Sequence, residues 1–207
     1  MDIDGFWHLI EDARLGTTPG EDQAAVLVRL LARLAPQEIT AFQRRYRECR
    51  ARSCTEPLWV AACLIDGEAD DEGFDSFRDW LIGLGRVRFE AALADPDSLA
   101  AVPWDGRSIE DAENLAQAAP DAYRQLTGGE LPLPDVALER AFAGGPRTVQ
   151  EASHLLPRLT ARAGRTAWRT VTVAGPLAGA FPDEQDGFVF RTVDWQHPGR
   201  DSAGGPG

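Results

Sequence analysis

The chain has 207 residues, 43% of them hydrophobic, which is length and apolar content enough for one sizeable core. Acidic residues outnumber basic ones 33 to 21, the formal net charge is -12, and every basic residue is an arginine. The missing lysine amine excludes a Walker A phosphate loop, Schiff-base chemistry and a serine–lysine dyad. The acidic excess argues against nucleic acid, whose binding draws on cations that displace phosphate counterions.

In chain order, Asp2 or Asp4 is placed to cap a first helix whose apolar residues Ile3, Phe6, Trp7 and Ile10 recur at helical spacing. After the loop "LGTTPGED", a second helix offers Leu27, Leu31 and Leu34 as its buried face. Pro36 then opens a third helix, with acidic Glu38 in its first turn and Ile39, Phe42, Tyr46 and Cys49 on its apolar side. Its other side carries Arg44, Arg45, Arg47, Arg50 and Arg52, read here as a solvated or internally paired face. "EPLWVAACLI" is apolar nearly all round, which marks a central helix with Trp59, Ala62 and Cys63 in its packing.

The stretch "DEGFDSFRDWLIGLGRVRFEAALADPDSLA", residues 71–100, reads as one helix that Pro96 breaks, with an apolar stripe at Phe74, Leu81, Gly85 and Ala92. Beyond it, Ser108 is placed to cap a helix bearing Ile109, Ala112, Leu115 and Ala119. Pro120 should interrupt that helix, Tyr123 and Leu126 extend its apolar face, and Gly128 suits a left-handed cap. From about residue 130 proline, glycine and alanine dominate. "TVQE" at 148–151 has capping-box spacing, while "AWRTVTV" and "GFVFRTVDW" alternate like strands. The expectation is a mainly α, irregular helical domain over residues 1–128, a C-terminal helix and β-hairpin-like strand extension over 129–196 packed on it, and a disordered tail over 197–207.

Chemistry-bearing motifs are few. Asp66, Glu68, Asp70 and Glu72 alternate as oxygen ligands do, but an EF-hand loop begun at Asp66 would need glycine and glutamate where Asp71 and Phe77 stand. His8, His154 and His197 have no zinc or catalytic-triad spacing, so no metal site and no cofactor is expected. Cys49, Cys54 and Cys63 form an odd set without a CxxC pair and read as core thiols in a reducing compartment, the cytoplasm. "MDIDGFWHLIEDAR" lacks the basic and apolar regions of a signal peptide, and no apolar run is long enough to span a membrane.

Arg78 is the exception, a permanent cation inside the apolar stripe. A buried guanidinium needs an anion, and Asp71 or Asp75 lies within helical reach, while Asp97 is a candidate to return across the fold. Two uses follow: an internal clamp onto the "DPDSL" turn, or a pocket for an anionic ligand, with Gly85 leaving room for another backbone to approach. Asp71, Asp75, Asp97, Ser98, Trp80 and Trp59 are grouped with Arg78 as the candidate hub.

This stretch, with "FWHLIEDAR", "PLWVAACLI" and "PDAYRQLTG", resembles the bacterial domain-of-unknown-function family 4240 over about residues 6–128. Trp7, Trp59, Asp71, Gly73, Phe74, Phe77, Arg78, Trp80, Leu81, Gly85, Phe89, Pro96, Asp97, Ser98 and Leu99 fall on its pattern. The chain departs from it where Glu68, Ala69 and Asp70 replace glycine-cysteine-serine. It departs again at the C-terminal end, where only "LPRL" at 156–159 remains. The resemblance implies a mainly helical bacterial domain and supplies no reaction. The functional expectation is a non-catalytic binding or protein-interaction module, regulatory or immunity-like, for a basic protein partner. The alternative is a small enzyme whose anionic small-molecule substrate is held by Arg78.

Overall fold

A computed structural model describes residues 1–18, 22–66, 71–103, 109, 112–132, 149–163, 171–172 and 192–193. Six helices run through the first part of the chain: α1 (Ile3–Gly16), α2 (Gln23–Leu31), α3 (Pro36–Ser53), α4 (Glu56–Asp66), α5 (Asp71–Gly83) and α6 (Arg86–Ala94). A 3-10 turn over Pro96–Ala101 follows, then α7 (Glu113–Thr127), α8 (Val149–Leu155) and α9 (Pro157–Ala163). The described residues are mainly helical, as the periodicity predicts. The predicted strand extension lies outside them except for Val171–Thr172 and Thr192–Val193, a two-residue antiparallel pair.

Local chemistry accounts for the helix ends. Asp2 caps α1 by accepting the Gly5 N–H at 2.8 Å. Pro36 is the first residue of α3, where its missing N–H costs nothing, and Glu38 reaches back to the Ala35 N–H at 3.0 Å. Gly128 ends α7 at φ 74°, the left-handed cap expected of it.

Several expectations are corrected. Residues 71–94 are two helices, because Gly85 adopts φ 88° and turns the chain between α5 and α6; a methyl group there would overlap the Glu11 carboxylate. What approaches Gly85 closely is thus a side chain from α1 and not a backbone. Pro120 does not interrupt α7, which runs through it. An interior proline costs a helix roughly 3 kcal/mol, and here buried Leu115, Ala118, Ala119 and Ala122 hold both halves against the core. Leu34 lies beyond the end of α2 and is half-buried, and Leu126 is exposed, so neither belongs to the buried face expected of it.

Central α4 and α5 are buried on nearly every side. Leu58, Ala61, Phe77 and Leu81 have no exposed surface, and α5 meets α1, α3, α4, α6 and α7. Burying a leucine or phenylalanine contributes about 1.5–3 kcal/mol each, so this centre dominates stability. α2 packs on α1 and α7, and α9 lies against α4 and the 3-10 turn. No helix among the described residues is long and apolar enough to cross a membrane.

Candidate functional site

Because α5 is buried from Ser76 onward, the polar residues there are buried with it, while Glu72 and Asp75 in its first turns stay exposed. Arg78 is 2% exposed and Asp79 4%. Arg78 pairs with Asp75 one turn earlier, donates from Nη1 to the Arg50 carbonyl at 3.2 Å, and lays its guanidinium over the Phe74 ring at 4.9 Å. The partner from α3 is Arg50, which reaches Asp75 at 2.9 Å and Asp79 at 3.2 Å. One turn before Arg50, Tyr46 donates its hydroxyl to Asp79 Oδ1 at 2.8 Å. Two arginines, two aspartates and a tyrosine thus tie α3 to α5.

Burial governs the protonation of this cluster. It pushes the Asp79 carboxyl up to about 7 although Arg50 and the Tyr46 hydrogen bond pull it down. The Tyr46 hydroxyl is raised as well, by burial first and then by the neighbouring Asp79 charge, and it stays a donor. Cys49, on the same helix, has its thiol pushed up to about 12, again mainly by burial, so it is a poor nucleophile. All three cysteines are buried.

The predicted hub is only partly brought together. Asp75 meets Arg78. The Asp71 side chain lies outside the described residues, and Asp97 is engaged elsewhere. In the 3-10 turn, the Asp97 carboxylate accepts the backbone N–H groups of Leu159 at 2.7 Å and Arg158 at 3.0 Å, and the Arg158 Nε–H at 2.9 Å. Burial opposes its charge, yet these donors outweigh it and hold the carboxyl below its usual range. The "DPDSL" turn is therefore clamped to α9 through Arg158, a different contact from the one expected of Arg78. Arg162 reinforces it by donating to the Ala100 and Val102 carbonyls, each at 2.6 Å. Ser98 is half-buried in the same turn; Trp59 is buried in α4, and Trp80 is buried against Phe77 at 5.6 Å.

Sequence reasoning missed Tyr46, Arg50 and Asp79. The available signal was Tyr46 and Arg50 four apart on α3, with Asp75 and Asp79 four apart on α5, two complementary i,i+4 pairs. The arginine face of α3 is internally paired: Arg44 and Arg45 with Glu48, Arg50 as above, and Arg52 with Glu90 through two bonds of 2.9 and 2.8 Å. Among the described residues no group of three or more His, Cys, Asp or Glu side chains is placed to hold a metal ion.

Fold and site together define a helical domain whose buried ions serve one another. The chain belongs to the family described as "Protein of unknown function (DUF4240)", whose model matches residues 1–125. No curated protein and no solved structure matches it.

Proposed function

We infer that the chain is a non-catalytic, cytoplasmic interaction module, an acidic domain that engages a basic protein partner in a regulatory or immunity-like role. The observation carrying this reading is the closure of the Arg78 cluster. Arg78 is 2% exposed, and its two terminal nitrogens are engaged by Asp75 and the Arg50 carbonyl beside the Phe74 ring, so its fork is turned into the protein. An arginine that holds a substrate must instead present its fork to solvent. The net charge of -12, with many arginines paired internally, favours approach by a partner of opposite sign.

The second reading, a small enzyme acting on an anion at Arg78, draws on Asp79. A carboxyl pushed up to about 7 is suited to proton transfer. It weighs less because Asp79 is only 4% exposed and its Oδ1 faces both Tyr46 and Arg50. The test is a thermal-shift screen of wild type and Arg78→Met against phosphate, nucleotides, small carboxylates and divalent metals, since a ligand of the native state raises its apparent stability. The interaction module shows no shift peculiar to wild type; an anion that stabilises wild type and not Arg78→Met points to the enzyme.

A further inference from the structure

Away from the Arg78 cluster, a groove of about 440 Å³ opens between α2 and α7. α7 contributes Asn114, Gln117, Asp121 and Gln125, which at steps of three, four and four residues share one helix face. α2 contributes Asp22 at its cap, a floor of Ala24, Ala25 and Val28, and Arg29. Among the described residues, the side-chain carboxamides of Asn114, Gln117 and Gln125 make no hydrogen bond, so each keeps a donor and an acceptor to offer. Asp121 spends one oxygen on Arg124 at 2.9 Å and Asp22 one on the Ala24 N–H at 3.0 Å, which leaves each carboxylate a second oxygen.

We propose that this groove binds an extended segment of a partner protein carrying spaced basic side chains. The proposal rests on the interaction-module reading and gives it a surface. Gln117, Asp121 and Gln125 rise along α7 in steps of about 6 Å, close to the two-residue repeat of about 6.8 Å in an extended chain. A carboxamide donates and accepts as a peptide group does, so Gln117 and Gln125 match the backbone of such a chain while Asp121 between them takes a cation. The acidic lining is limited to Asp22 and Asp121, so the groove offers cations two separate carboxylates and suits spaced basic residues over an unbroken basic run.

The experiment is a two-dimensional NMR titration with a synthetic octapeptide alternating arginine and alanine, its citrulline counterpart, and the exposed-site variant Gln117→Trp, which fills the groove. We expect the arginine peptide to move the side-chain amide signals of Asn114, Gln117 and Gln125, with binding at least about tenfold weaker for the citrulline peptide and for Gln117→Trp. Unmoved amide signals, or equal binding by the citrulline peptide, would overturn the groove. Unchanged binding by Gln117→Trp would also overturn it while leaving the interaction module standing. The module reading itself is tested separately, by the anion screen with Arg78→Met.

Discussion

Asp79 shows what burial does to a single acid. Burial pushes its folded-state carboxyl up to about 7 from the ordinary aspartate value of about 4, so between about pH 4 and 7 the folded state binds the extra proton. Stability contributed by this group therefore falls as pH rises through that window and is level above it. Asp79→Asn keeps an acceptor for Tyr46 and removes the titration. Its stability relative to wild type should improve between pH 5 and pH 8 by about 2 kcal/mol in urea unfolding, an order-of-magnitude figure at about 1.4 kcal/mol per pKa unit. Parallel pH profiles would contradict the burial argument. Gly85 offers a second test. With φ 88°, Gly85→Ala should cost about 1–2 kcal/mol, and the cost should persist in a Glu11→Ala background. The carboxylate it would strike is the end of a flexible side chain, whereas the backbone cannot yield.

Among the elements, α9 is tied to the 3-10 turn by polar bonds, through Asp97 and Arg162, beside the apolar anchor of buried Leu159. Asp97→Ala leaves the buried Leu159 N–H without its acceptor, which should cost about 1–3 kcal/mol. Hydrogen exchange should report this locally: faster exchange at Arg158 and Leu159 with α5 protected as before, whereas uniform acceleration would mean that α9 is not a separable unit. Helices with a clear apolar face were legible in the sequence. Ile39, Phe42, Tyr46 and Cys49, read from spacing alone, are all buried in α3. The errors fell where spacing is silent. A proline inside α7 is tolerated because packing outweighs propensity, and a glycine between two helical runs hides the break because both sides keep an apolar residue in phase. Arg78 stood out as a cation in a stripe. Asp79 did not, because its partners Tyr46 and Arg50 sit on α3, some thirty residues away, and only the fold places them.

For the whole molecule, the question is whether the Arg78 cluster binds the protein to itself or to something else. Asp75, the carboxylate Arg78 pairs with, is half exposed and also held by Arg50, and the Arg50 carbonyl has a second donor in the Ser53 hydroxyl at 3.0 Å. Removing the Arg78 charge therefore strands little. Removing its volume leaves a hole in the centre of the fold beside Phe74. If the proposed interaction module is right, the net charge of -12 draws a basic partner, and that association should slow steeply as salt is raised. The most direct measurement is urea unfolding of Arg78→Met beside Arg78→Ala. A cluster that serves the fold gives a methionine variant within about 1 kcal/mol of wild type and an alanine variant about 3 kcal/mol less stable. Two variants both as stable as wild type would mean that Arg78 faces a ligand and that the closed-cluster account is wrong.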